Sequence, residues 1–462
     1  MSTSPVQETE ILVLGAGLTG LSVAWHIGHE RCQILEASSH PYGHVASRFE
    51  HGFTWDEGPH VSFTKHAYVR ELFEKFVGGK FEEYPVRAVN WWNGHWIDHP
   101  AQSNLWQMPA EMREACLNSF LQTRDQAPPA SAHYGDWLRA SFGDVFANEF
   151  PRAYTEKYWT TAPENLTTDW VGDRVFLPKV EDVVAGSQGP LPVQTHYIST
   201  VRYPSNGGYQ AYAAGLVEDA RISLGDPVAS IDLRTRKVTT ASGATWRAQR
   251  IVSTLPLPVF ISLVTDTPDE VRDAAAKLVC SELLLVQVTA PHPTRIPGNW
   301  FYVYDRDLLS TRIHCTEILS PNNAPAGHTG IQVEVYASPY RPFAASFEEI
   351  EKQVVAELVR MGFVDEENGQ AVTGTRSSHH FVKWANVVCD HHRRPALQTI
   401  HEWLNTMGLQ PEGDALHPMT DWNRHQAQPG TLMLAGRFGE WKYFWSDDCV
   451  MRGRAIAQAL NS

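Results

Sequence analysis

The chain has 462 residues, with 38 Lys and Arg against 52 Asp and Glu, a formal charge of −14. That balance excludes a basic nucleic-acid binder. Hydrophobic residues make up 43% and charged residues 19%, below the roughly 25% charge of an average domain, so the composition describes a buried-core protein and excludes a disordered one.

At roughly 150 residues per domain the length suggests two or three units. The 32 glycines and 29 prolines are spread along the chain and do not gather in a linker, which predicts one body of interleaved parts. Residues 1–10 are polar and acidic, and the apolar run 11–14 is too short for a signal segment or a membrane span. The expectation is a soluble, cytoplasmic protein. Six cysteines (Cys32, Cys116, Cys280, Cys315, Cys389, Cys449) form no CxxC pair, so reduced thiols are expected, with neither a zinc site nor disulfides. The sequon Asn165-Leu166-Thr167 is read as chance in the absence of a secretory signal.

The first informative segment is an apolar strand at 11–14, the glycine turn Gly15-Ala16-Gly17-Leu18-Thr19-Gly20, and a helical pattern at 21–27. Gly15 permits the tight turn, Gly17 lets a pyrophosphate approach the backbone with Leu18 and Thr19, and Gly20 allows helix and strand to pack closely. The anion then lies at the positive helix N-terminus. A second strand at 32–35 ends in Glu36, where an acidic side chain accepts hydrogen bonds from an adenosine ribose. NAD and FAD both fit this fingerprint.

Beyond Glu36 the regular alternation of strand and helix stops. The chain reads Tyr42-Gly43-His44-Val45-Ala46-Ser47, then Gly52-Phe53-Thr54-Trp55-Asp56-Glu57-Gly58-Pro59-His60-Val61. Trp91, Trp92 and Trp96 around Asn93-Gly94 predict a hairpin. The two prolines in 126–131 predict a loop between helices such as 69–76 and 134–142. Residues 283–335 alternate in the manner of strands. At the far end, residues 432–434 read as a strand entering Gly436-Arg437, and Ser446-Asp447-Asp448 starts a helix. The histidines at 379–380 and 391–392 lack ligand spacing, so no metal is assigned.

The order of these motifs resembles the UDP-galactopyranose mutase family, within the wider group of FAD-binding amine oxidases and protoporphyrinogen oxidases. The residues that carry the resemblance are Gly52 to Asp56 with Gly58-Pro59-His60-Val61, Lys157-Tyr158-Trp159, Trp170-Val171-Gly172-Asp173-Arg174-Val175, and Tyr203-Pro204-Ser205-Asn206-Gly207-Gly208. Asn299-Trp300-Phe301-Tyr302, Arg312 with Ser320-Pro321, and Gly436-Arg437-Phe438-Gly439-Glu440-Trp441-Lys442-Tyr443 continue the series over nearly the whole chain.

The resemblance implies an α/β fold, α+β overall, in which a Rossmann-type FAD-binding domain is interleaved with a helical lobe and an antiparallel sheet. The segments would be 1–68, 201–280 and 426–462 for FAD, 69–200 for the helical substrate lobe, and 281–425 for the sheet. It implies reduced FAD whose N5 attacks the anomeric carbon of a nucleotide sugar, expelling and recapturing the nucleotide without net oxidation. Arg174 and Arg312 would grip the diphosphate, since guanidinium forks hold such a leaving group best, with Tyr443 as a phosphate-contacting hydroxyl and His60 near N5. Gly43, His44, Val228, Gly436, Arg437 and Asp447 would join the glycine turn and Glu36 around FAD. Gln102, Trp159, Trp300 and Tyr302 would contact the substrate.

Three departures from the family pattern are visible. Pro59 stands where the family has glycine, and fixes φ near roughly −65°. Ala101 lacks the aromatic that helps form a uridine site, and Val387 or Val388 stands where a diphosphate-binding tyrosine is usual. Two function classes therefore stay open: a mutase-like enzyme on an activated sugar, and an FAD oxidase or dehydrogenase of the amine oxidase or protoporphyrinogen oxidase kind.

Overall fold

A computed structural model describes residues 5–123, 133–192, 199–367 and 370–462. The loop expected at 126–131 lies outside the described residues, as 124–132 do.

The first strand, Gln7–Leu14, runs four residues further back than its apolar stretch suggests, because Gln7, Glu8 and Thr9 pair with Trp246, Arg247 and Ala248 of the strand Thr245–Ser253. Its other neighbour is Cys32–Leu35, also parallel, followed by Ile222–Ser223. On the far side, Lys237–Thr240 and Val228–Asp232 continue antiparallel, and Leu432–Leu434 pairs parallel with the end of Thr245–Ser253. Ile11 and Val13 face a core shared with Val23, Val450 and Ile456, whereas Leu12 and Leu14 face Phe260, Leu397, Ile400 and Leu404. Both faces are covered, which is why the sequence reads as a continuous apolar run and does not alternate.

The helix Leu18–Ile27 crosses the C-terminal helix Ser446–Asn461 at close range. A Cβ on Gly453 would lie 2.5 Å from the Cβ of Ser22, and the Ser22 hydroxyl donates to the Val450 carbonyl at 2.8 Å. The chain's two ends are therefore joined in one layer over the cofactor sheet.

A second sheet has the order Arg376–Val387, Cys280–Ala290, Thr329–Ala337, Arg312–Cys315, Trp300–Val303, Ala88–Trp92, His95–Asp98. It is antiparallel except where Trp300–Val303 runs parallel to Ala88–Trp92. The sequence reading confined this sheet to 281–425. Two of its strands come from the 69–200 segment, as the Asn93-Gly94 hairpin, because only tertiary pairing extends the sheet there. One face, with Val286, Phe301, Ile313 and Val333, packs against Ile350, Val354 and Leu358 of the helix Phe347–Arg360.

The helical lobe gathers Ala110–Thr123, Tyr134–Phe142, Ala153–Tyr158 and Val180–Gln188 around Phe120, Phe142, Phe146, Phe150 and Trp170. The helix Arg393–Asn405, placed by sequence with the second sheet, buries Leu397, Ile400 and Leu404 under the cofactor sheet instead. The six cysteines are free. Among the described residues no helix is long and apolar enough to cross a membrane.

Candidate functional site

The glycine turn has the geometry its spacing implies. Gly15 sits at φ +102°, and a Cβ on Gly20 would lie 2.1 Å from the Gly15 carbonyl oxygen and 3.1 Å from Val13 Cγ1, so only glycine lets this helix close on its strand. A Cβ on Gly17 would meet nothing within 4 Å, which leaves open space above the helix N-terminus. Glu36 accepts the Ala16 N–H at 2.7 Å and the Ser38 N–H at 2.8 Å, fixing its carboxylate beside the turn. The Asp226 N–H donates to the Glu36 carbonyl at 3.2 Å, and this contact brings the strand that begins at Val228 to the same rim. Gly43 packs against the Gly17 Cα. Gly436, at φ +82°, sits where a Cβ would lie 2.7 Å from Thr19 Oγ1, so the C-terminal turn meets the first turn of the helix.

The second sheet contributes a polar floor. Register places Asn90, Tyr302, Arg312, Glu334, Leu285 and His380 in one row across six strands, and Ala88, Trp300, His314, Gln332, Gln287 and Ser378 in the next. Successive side chains alternate between faces, so both rows lie opposite the Phe347–Arg360 helix. Gln332 clamps the flavin-loop candidate by donating to the Asp56 carbonyl at 2.9 Å and accepting from the Gly58 N–H at 3.0 Å. Asp56 is itself buried, accepting from Ser47 Oγ, from the Tyr203 hydroxyl at 2.7 Å and from the Tyr209 N–H at 3.1 Å. Burial pushes its pKa up to about 6.

His60 stacks on Tyr209 at 5.3 Å between centroids, with its Nδ1 buried and without a hydrogen-bond partner. Burial pushes its pKa down to about 4, against the pull of Glu57 and with the help of His44, Arg312 and Arg437. His60 is therefore neutral near pH 7. His314, behind it on the floor, is pushed down to about 3 by burial and by Arg312 and His60. His44 bonds Glu57 at 2.7 Å and faces Phe438, and His380 reaches the other Glu57 oxygen at 3.4 Å. Burial alone would raise the Glu57 pKa, but these two imidazoles hold it well below the usual carboxylate range.

Arg312 is engaged by Glu334, 1% exposed, through Nε at 2.9 Å and Nη2 at 2.6 Å, and the Tyr336 hydroxyl donates to the same carboxylate at 3.0 Å. Its fork is thus already matched by a carboxylate, which the sequence reading did not foresee. Arg174 lies between two rings, 4.1 Å from Tyr443 and 3.9 Å from Trp445, and donates to the Tyr443 carbonyl at 2.5 Å. Arg437 stands 4.9 Å from the Tyr443 ring and donates to the Phe444 carbonyl at 2.8 Å and to Asn386 Oδ1 at 2.5 Å. The Tyr158 hydroxyl joins Asn386 at 3.0 Å and the Tyr443 hydroxyl at 3.3 Å.

The remaining expected residues lie at varied distances from this cluster. Trp300 donates to the Tyr302 hydroxyl at 3.0 Å, next to Arg312 on the floor. Trp159 is 4% exposed and spends its indole on Trp170 and Tyr443. Gln102 donates to the Phe176 carbonyl at 2.9 Å. Asp447 is in the first turn of the C-terminal helix, whose N-terminal backbone is capped by Asp448, accepting from the Trp445 N–H at 2.8 Å. In the sequence Tyr158 carries a signal only as part of the 157–159 motif, and no local pattern marks Asn386, Glu334, Glu57 or Trp445 as site residues. Asn386 stands one position before Val387, in the segment where the family usually carries a tyrosine.

The residues present fit a flavin dinucleotide. Open space above Gly17 and a fixed acid at Glu36 flank the glycine turn, and His60 Nδ1 and Arg437 Nε are buried nitrogens without a hydrogen-bond partner. The chain matches the family of flavin containing amine oxidoreductases over residues 18–461 and belongs to it. Its cofactor is FAD. Among solved structures it is similar to a reduced UDP-galactopyranose mutase, with a TM-score of 0.84 and 21% identity over 98% of this chain and 96% of that one. A putative protoporphyrinogen oxidase from Exiguobacterium sp. 255-15 follows, at 0.71 and 17% over 99% of both chains. Putrescine oxidase bound to putrescine superposes at 0.60 and 12%, over 99% and 100%. At these identities the likeness is one of fold.

Proposed function

We propose that this flavoenzyme is a mutase-like isomerase acting on a nucleotide-activated sugar, with FAD held reduced and no net redox change. The observation that carries the reading is the pair of guanidinium groups, Arg174 and Arg437, set against the Tyr443 ring at 4.1 and 4.9 Å. Two cations against one aromatic ring attract an anionic diphosphate and repel a protonated amine. When bound, reduced FAD supplies a nucleophilic nitrogen for the sugar carbon. The chain's residues do the rest. Arg174 and Arg437 hold and orient the departing diphosphate, Tyr443 and Tyr158 offer hydroxyls to it, and Trp300 and Tyr302 present aromatic edges to the sugar beside Arg312. His60, neutral, presents a hydrogen-bonding nitrogen to the flavin.

The second reading is an FAD oxidoreductase, favoured by the Arg312–Glu334 pair, which leaves that part of the floor without net charge and open to an uncharged substrate. Binding to the reduced protein, followed by flavin fluorescence with UDP-galactose and then other nucleotide sugars, separates the two. Arg174→Lys keeps the charge but loses the planar fork and the ring sandwich, and is expected to cost about 2–4 kcal/mol of nucleotide-sugar binding with flavin content unchanged. If no nucleotide sugar binds while an amine or a porphyrin-like compound bleaches the oxidised flavin and consumes oxygen, the isomerase reading falls.

A further inference from the structure

Behind the flavin-facing turn lies a buried group of charges that neither reading of the chemistry uses. Arg452, 2% exposed on the C-terminal helix, donates from Nε to Glu440 at 2.9 Å and from Nη2 to Glu412 at 2.8 Å and to the Leu434 carbonyl at 3.2 Å. Its Nη1 meets His425 Nε2 at 2.5 Å, and His425 Nδ1 lies 3.1 Å from both oxygens of Asp414. Lys442 stands 3.2 Å from Asp414.

Glu412, Asp414 and His425 bring potential ligand atoms within 4.8 Å of one another. Two side-chain cations already serve these carboxylates, and an ion would have to displace Arg452 and Lys442. The cluster instead reads as a strut. An arginine has no acceptor, so His425 Nε2 must accept from it, and Nδ1–H must donate to Asp414. One neutral imidazole tautomer satisfies both neighbours.

The strut ends on the cofactor side. Glu440 accepts the Gly436 N–H at 3.0 Å with the same oxygen that binds Arg452. Gly436 is seated on Thr19, in the first turn of the pyrophosphate-facing helix, and Arg437 follows it. A shift of Arg452 is therefore passed through Glu440 to both.

We propose that His425 is a positioning residue for the flavin, acting through Arg452 and Glu440 on the turn at Gly436 and Arg437. The proposal holds whether the enzyme is an isomerase or an oxidoreductase. His425→Phe keeps a ring of similar size but neither accepts nor donates, whereas His425→Gln can do both through its amide. FAD dissociation from the holoprotein, followed by the rise in free-flavin fluorescence on dilution, is expected to show at least about tenfold weaker binding for His425→Phe, the scale typical of lost supporting hydrogen bonds around a bound group. His425→Gln should stay within about threefold of wild type on the same reasoning. The flavin midpoint potential should shift for the first variant and not for the second. FAD affinity within threefold of wild type together with an unshifted potential in His425→Phe, whatever its melting temperature, overturns the proposal. Should that variant fail to fold, Asp414→Ala decides, because it removes the acceptor that orients the imidazole. Weaker FAD binding than wild type supports the strut, and unchanged binding overturns it.

Discussion

At the scale of single residues, the sign of His60's effect on stability follows from its burial. Below pH 6.5 the unfolded chain takes up a proton at His60 that the folded chain refuses until about pH 4. The unfolded state then binds more protons, so stability falls as the pH drops through that window and the contribution is level below it. Wild type should therefore lose more melting temperature than His60→Gln between pH 7 and pH 4. Equal losses across that range would show an imidazole that titrates normally in the fold. Arg312 makes the complementary point. Its bidentate bond to Glu334 makes an arginine expected to meet substrate half of a partly buried pair, in which the Glu334 carboxylate, 1% exposed, is the group most costly to leave alone.

At the scale of elements, the strand, glycine turn and helix at Gln7–Ile27 act as one unit with Glu36. Glu36 accepts two backbone N–H groups of the surrounding turns, so its carboxylate is already oriented before a ribose arrives. Glu36→Ala is expected to weaken FAD binding by about 1–3 kcal/mol, the range for charge-assisted hydrogen bonds, while the protein stays folded. A titration of flavin fluorescence against the variant measures this, and unchanged affinity would place the ribose contact elsewhere. The second sheet acts as a unit of a different kind. Its apolar face needs only alternation, but its opposite face carries Arg312, Glu334, His314 and Gln332 in adjoining positions, and a slip of one residue would turn all of them to the other face.

For the whole molecule, the proposed cofactor site draws on segments far apart in sequence: the glycine turn, Gly43 and His44, the 56–60 loop, and the turn at Gly436. A ligand that binds such a junction in the folded state alone stabilises it by mass action, about 2.7 kcal/mol at a hundredfold excess over Kd. The melting temperature should rise with added FAD and fall on its removal. Among the described residues no cysteine or histidine stands in an evident linking role, and His44 has its Nδ1 turned to Glu57. Acid precipitation should therefore release flavin to the supernatant, and flavin retained in the pellet would show a covalent bond.

The sequence by itself determined the dinucleotide fold, because Gly15, Gly17, Gly20 and Glu36 act through local geometry: a turn, a close approach and an acid at a strand end, all within 22 residues; FAD over NAD came from the order of motifs along the whole chain. It also determined the Asn93-Gly94 hairpin and the start of the last helix, whose signals are equally short-range. Only the tertiary structure decided which charges meet. Glu334 reaches Arg312 because two strands pair in one register, Trp445 covers Arg174 because the C-terminal segment folds back across the helical lobe, and His425 lies against Arg452 across a loop and a helix. Such contacts depend on the relative placement of elements, and a pattern of residue types along the chain holds no distance between them.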